Sequence, residues 1–198
     1  ANPLYKGQGA PPMIVNIHGG PTHQIRLDFP REAPYFTSRG YVWLEVSYRG
    51  SIGLGRSYQD ALNGRWGELD VEDVVSGAME MVRRGLADSS RLVLFGGSAG
   101  GFTVLNALIR CPGRFRAGIC LYPVTDLLDP GLVADKFESH FMDRAVGLLP
   151  QAEERYRQRS PLYHSDQIKD PVALFHGSLD TAVPVGQSQQ IAATLRAQ

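Results

Sequence analysis

The chain has 198 residues, 43% hydrophobic and 20% charged, the proportions of one ordinary globular domain able to bury its own core. Twenty Lys and Arg balance twenty Asp and Glu, and the basic residues are scattered rather than gathered into a stripe that could neutralise phosphates, which argues against nucleic acid as a partner. No stretch approaches the roughly 18 consecutive apolar residues of a membrane span, so a soluble protein without a membrane partner is expected.

The first residues lack the basic-then-apolar pattern of a secretory signal. Cys111 and Cys120 are the only cysteines, too few for a disulfide framework and without CxxC or Cys/His metal spacing. Those features fit a reducing, cytoplasmic compartment and predict no metal site.

In chain order, Met13 to His18 is an apolar, β-branched run broken by Gly19-Gly20-Pro21, the pattern of a short buried strand ending in a loop. A helical spacing follows around Glu32 to Ser38, then a second strand-like run from Tyr41 to Tyr48. Val71 to Arg84 carries apolar residues at Val71, Val74, Val75, Ala78 and Val82, the spacing of a helix with one buried face. Arg91 to Phe95 predicts a third strand, Ala99 to Arg110 a helix, Ala117 to Tyr122 a fourth strand and Pro171 to His176 a fifth. Residues 126–165, rich in charge and aromatics, suit a helical insertion between the last two of these strands. A final helix begins near Val185 and is predicted to run on through Gln198.

Near-continuous apolar strands alternating with helices predict an α/β fold, a mostly parallel sheet with helices on both faces. In such sheets the chemistry lies at the carboxyl ends of the strands. The residues there are informative. After the third strand comes Gly96-Gly97-Ser98-Ala99-Gly100-Gly101, a G-x-S-x-G motif in the strand-to-helix setting of a nucleophile elbow. The competing reading makes Ser98 a helix N-cap in a Gly-rich turn. After the first strand comes His18-Gly19-Gly20-Pro21, where this architecture supplies the second N–H of an oxyanion hole. Its partner would be the N–H of Ala99, and losing one such donor costs about 3 kcal/mol of transition-state stabilisation. Gly20 is the backbone candidate in the loop, and His18 is either a further donor or a residue that packs beneath it. The fifth strand runs into His176-Gly177-Ser178-Leu179-Asp180, which sets a carboxylate at the strand end where a triad acid belongs. A turn or helix-capping role is the alternative for Asp180.

Chain order in this architecture is serine, acid, histidine, yet residues 181–198 contain no histidine. His18, His23, His140, His164 and His176 all precede Asp180 and read as loop or packing residues. The expectation is therefore a catalytic domain lacking its last strand and helix, with the base outside residues 1–198.

Several separated segments in order carry a family resemblance: HGGP at 18–21, SYRGSIGLGRSY at 47–58, ALNGRWGELDVEDVV at 61–75, GGSAGG at 96–101, DKFESHFMD at 135–143, RSPLYHSD at 159–166 and HGSLDTAVP at 176–184. Together they resemble the prolyl oligopeptidase family of serine peptidases, in its acylaminoacyl-peptidase and dipeptidyl-aminopeptidase-like branch, over essentially the whole chain. The resemblance implies an α/β-hydrolase catalytic domain, usually preceded by a β-propeller that restricts access to short peptides. It implies a triad of Ser98, Asp180 and a later histidine, an oxyanion contribution from the HGGP loop, and no cofactor. Where members of the wider family have an oxyanion-donating tyrosine, the aligned residue is His18. Where the family usually has Asn-Tyr at the end of the second strand, this chain has Ser47-Tyr48.

The function this implies is hydrolysis of short peptides through an acyl-enzyme on Ser98. A carboxylesterase would use the same groups, and a catalytically silent module would keep the fold without the reaction. Oligomeric state stays open, a homo-oligomer included, as does whether Phe137, Phe141 or Met142 shapes the substrate pocket.

Overall fold

The computed structural model describes residues 9–25, 31–132 and 140–198. Among these residues five strands form one parallel sheet: β1 (Met13–Ile17), β2 (Val42–Glu45), β3 (Leu92–Gly97), β4 (Ala117–Leu121) and β5 (Val172–Phe175), in the order β2-β1-β3-β4-β5. Successive side chains of a strand point to opposite faces, and Met13, Ile14 and Val15 are all buried. β1 is therefore covered on both sides, which is why its sequence is apolar without alternation. β5 is hydrogen-bonded to β4 alone, and its side chains alternate between half-buried Val172 and Leu174 and exposed Ala173 and Phe175.

Among the described residues seven α-helices connect and cover the strands: α1 (Glu32–Thr37), α2 (Arg56–Asp60), α3 (Leu69–Arg83), α4 (Ala99–Arg110), α5 (Phe141–Ala145), α6 (Glu153–Arg159) and α7 (Val185–Arg196). Every residue of α4 from Ala99 to Leu108 is buried, because this helix packs against β3, β4, α3 and the 3-10 turn Pro161–Gln167 at once. A helix enclosed in this way can be apolar all round. α3 instead buries a stripe at Val71, Val74 and Ala78, one helical face, in the core beneath the sheet. A second apolar cluster joins Trp66, Phe102, Leu127, Val146 and Tyr156, and fastens the 140–159 region over the start of α4.

The strands lie where the apolar runs are, within two residues of the expected bounds except at the end of β2. β2 ends at Glu45 rather than Tyr48, because its register partner β1 ends at Ile17 and turns into the Gly19-Gly20 loop, leaving no neighbouring backbone to pair with. α2 falls in a Gly-rich stretch with no apolar period and was not expected. The predicted insertion does hold helices, α5 and α6, while residues 133–139 lie outside the described residues. The last helix does not run through Gln198. It closes at Arg196, with the Ala197 N–H shared between the carbonyls of Ala193 and Thr194. Among the described residues no helix is long and apolar enough to cross a membrane.

Candidate active site

β3 delivers Ser98 into a sharp turn with φ 55° and ψ −123°, and α4 begins at the next residue. For a serine this backbone is strained by about 1–3 kcal/mol, so surrounding structure must hold it. The Ser98 N–H donates to the Leu121 carbonyl at 3.0 Å, and the Ser98 carbonyl accepts from the Phe102 N–H at 3.1 Å. The flanking glycines are needed for close approach. A Cβ on Gly96 would lie 2.6 Å from the Gly100 carbonyl carbon, and one on Gly101 would lie 2.7 Å from Pro123 Cβ.

The loop after β1 packs directly on this turn: a Cβ on Gly19 would meet the Gly97 carbonyl at 3.1 Å and Ser98 Cβ at 3.5 Å. Gly20 has φ 122°, a conformation that favours glycine. Ala99 is the first residue of α4, so its N–H has no acceptor within the helix. Gly20, Ser98 and Ala99 line one cavity of about 220 Å³. The loop after β5 reaches the same cavity through Ala182 and Val183.

Asp180 sits in that loop. Its Oδ1 accepts the backbone N–H groups of Ala182 and Val183, each at 2.9 Å, and its Oδ2 lies 3.6 Å from His176 Nε2. The Val183 N–H above all, with the Ala182 N–H and the nearby His176, holds the carboxyl below the usual carboxylate range against the opposing effect of burial. The loop thus presents an ionised carboxylate fixed by its own backbone.

None of the five histidines lines the cavity with Ser98. His176 is anchored below, with Nδ1 2.8 Å from Ser188 Oγ and Nε2 2.8 Å from the Val183 carbonyl. The ring of His18 stacks on Tyr48 with centroids 4.3 Å apart, its Nε2 2.8 Å from Ser51 Oγ and its Nδ1 2.9 Å from the Gly19 carbonyl. Burial pushes its pKa down, so the ring is neutral near neutral pH. Tyr48 returns a 3.0 Å hydrogen bond from its hydroxyl to the His18 carbonyl. His23 and His140 are exposed, and His140 faces Asp143 at 3.1 Å.

The remaining wall of the cavity is apolar, formed by Trp66, Val124, Leu127, Leu132, Phe141 and Met142, with Asp129 among them. Phe141 and Met142 thus answer part of the question left by the sequence, while Phe137 lies outside the described residues. The sequence did not single out Trp66, Asp129 or the buried Gln187 that holds Asp129. A lone carboxylate and a glutamine inside a helix carry no local signature.

The sequence profile of the prolyl oligopeptidase family matches residues 27–198. The chain belongs to the prolyl oligopeptidase family. Among curated relatives of this family member, the acylamino-acid-releasing enzyme of Arabidopsis thaliana is 31% identical over 93% of this chain and 25% of its own length. Dipeptidyl aminopeptidase BIII of Pseudoxanthomonas mexicana is 27% identical over 100% of this chain and 29% of its own. A puromycin-hydrolyzing peptidase of Mycobacterium tuberculosis superposes with a TM-score of 0.92 at 39% identity, covering 99% of this chain and 30% of that one. The acylaminoacyl peptidase of Pyrococcus horikoshii gives 0.89 at 29% identity, over 98% of this chain and 32% of that one. The fold is that of the α/β hydrolases, and the chain spans about a quarter to a third of the length of these relatives.

Proposed function

We propose that the chain is the catalytic part of a serine peptidase that hydrolyses short peptides through an acyl-enzyme on Ser98. The observation that carries this reading is the strained Ser98 backbone at the mouth of a cavity that it shares with Gly20 and Ala99. Ser98 Oγ attacks the scissile carbonyl while its proton passes to an imidazole. The oxyanion that forms accepts hydrogen bonds from the N–H groups of Ala99 and Gly20. Collapse expels the amine, which takes the proton from the imidazolium, and water then repeats the sequence on the acyl-enzyme. Asp180 holds the imidazole in its working tautomer and balances its charge.

The imidazole belongs, in this reading, to a segment beyond Gln198 of a longer polypeptide that also carries a β-propeller before residue 1. The share of each relative covered by the chain supports this extension. The relatives named for releasing acylamino acids or dipeptides, and for hydrolysing puromycin, support amide bonds near a peptide end as the target. His18 acts as a positioning residue, since both ring nitrogens and one ring face are already engaged. Cytoplasmic residence is part of the proposal, supported by the unpaired Cys111 and Cys120.

The test is incubation of the full-length protein with a fluorophosphonate, mapping of the adduct, and turnover of acyl-amino-acid amides beside short-chain esters. Adduct on Ser98 with amide turnover is expected. Ester turnover alone would favour a carboxylesterase, and an unlabelled Ser98 would leave a silent member of the fold.

A further inference from the structure

We propose that Asp129 makes the cavity beside Ser98 selective for substrates with a positive charge on the acyl side of the scissile bond. The inference rests on the peptidase reading above and names the substrate class of the same site.

Among the described residues that line the cavity, Asp129 is the one charged side chain, and the wall around it is formed by Trp66, Leu127, Phe141 and Met142. A carboxylate facing apolar surface gives up hydration without compensation unless a cation or a donor meets it. Among the described residues Asp129 has one donor on each oxygen: the Gly131 N–H on Oδ1 at 2.8 Å and Gln187 Nε2 on Oδ2 at 2.8 Å. Each carboxylate oxygen can accept a further bond. Among the described residues no Lys, Arg or His forms an ion pair with it.

The side chain is also fixed in advance. Gln187 is 1% exposed, and its Oε1 accepts the backbone N–H groups of Thr125 at 2.6 Å and Asp126 at 2.8 Å. Its amide nitrogen therefore has one orientation, and that orientation holds the Asp129 carboxylate on the cavity wall. A preorganised carboxylate loses little entropy when it binds an ammonium or guanidinium group. Ser98 and Asp129 open on one cavity, and in the proposed mode the group that Asp129 meets belongs to the acyl portion of the substrate, the part that Ser98 retains after the amine departs.

Two sources supply such a cation: a lysine or arginine side chain on the residue whose carbonyl is attacked, or the free α-ammonium of an N-terminal residue. A matched set of anilides separates them in the full-length protein. Acetyl-lysyl against acetyl-norleucyl anilide varies the side-chain charge at nearly constant length, and norleucyl against acetyl-norleucyl anilide varies the terminal charge.

The expected result is a preference for the cationic member of one pair by roughly tenfold to a hundredfold in kcat/KM, the range of a charge-assisted hydrogen bond. In Asp129→Asn that ratio falls to near unity. Fluorophosphonate labelling of Ser98 in the variant reports whether the site is still assembled. A merely structural Asp129, serving the Gly131 turn and Gln187, would change turnover of both members of a pair alike. Ratios near unity in the wild type for both pairs would overturn the inference while leaving the peptidase reading intact, and so would a preference that survives in Asp129→Asn. Absence of both anilide turnover and Ser98 labelling would overturn the peptidase reading and the inference with it.

Discussion

The carboxylate of Asp70 on α3 lies 2.6 Å from Thr103 Oγ1 on α4, and both residues are fully buried. The second carboxylate oxygen accepts the Gly67 N–H at 2.7 Å. The pair links α3 to the helix that begins beside Ser98. Burial is the largest influence on Asp70 and pushes its carboxyl up to about 6, against the opposing hydrogen bonds from Thr103 and Gly67.

A folded-state pKa above the unfolded value means that the native protein binds this proton more tightly. The contribution of Asp70 to stability is therefore fully present below about pH 4 and is lost as pH rises through about 6. Asp70→Asn cannot titrate. Between pH 4 and pH 7 the difference in unfolding free energy between variant and wild type is expected to move in favour of the variant by about 2 kcal/mol. Urea melts at each pH measure it, and a difference independent of pH would show that Asp70 does not change charge in this window.

Gly100 tests the elbow. A Cβ at this position would collide with the Ile17 carbonyl oxygen, a backbone atom of β1, which is paired on both edges and has no room to withdraw. Gly100→Ala is expected to cost about 1–3 kcal/mol or more in stability and to slow fluorophosphonate labelling by a large factor, because the shift is absorbed at the turn that presents Ser98. Thermal melts and labelling rates give both numbers, and labelling at the wild-type rate would mean that the turn can relax without moving the nucleophile.

Where the sequence was legible, the physics was local. The apolar runs gave away β1, β3, β4 and β5, and β1, covered on both faces, has to be apolar throughout. Gly96 and Gly100 signalled the tight turn around Ser98, because only a missing Cβ permits those approaches. What stayed hidden depends on long-range partners. The end of β2 is set by where β1 stops, α2 buries no residue and is tied down through the Tyr58 hydrogen bonds to Ser47 and Gly50, and the roles of Asp129 and Gln187 exist only once residues 58 positions apart are brought together. His18 was ambiguous for the same reason, since Ser51 and Tyr48 are what occupy its ring.

The His18 contacts yield a further expectation. If the ring acts by holding the loop rather than by donating to the oxyanion, removing its anchor should reproduce part of its removal. Ser51→Ala and His18→Phe should then lower kcat/KM in the same direction, and the double variant should lose less than the product of the two. His18→Phe keeps a ring over Tyr48 and discards both polar contacts. A large loss in His18→Phe beside an unaffected Ser51→Ala would instead mark His18 as a direct donor.

Gln187 bridges the segment after Asp180 and the far wall of the cavity. From α7 its Oε1 accepts the N–H groups of Thr125 and Asp126, and its Nε2 donates to the Asp126 carbonyl at 3.0 Å and to Asp129 Oδ2 at 2.8 Å. Gln187→Leu preserves approximate bulk but strips the buried Thr125 N–H and the half-buried Asp126 N–H of their acceptor, at about 1–3 kcal/mol for the buried one. Gln187→Glu keeps the acceptor and replaces the donating nitrogen with an oxygen facing the Asp129 carboxylate. At pH 8 two negative charges then oppose each other, whereas at pH 5 a proton shared between them restores a hydrogen bond, as happens when carboxylates crowd one site. Gln187→Glu is therefore expected to be clearly less stable than wild type at pH 8 and to recover much of the loss at pH 5, with Gln187→Leu impaired about equally at both. Melting curves at the two pH values decide the matter, because equal losses for Gln187→Glu would mean that its second oxygen does not face Asp129.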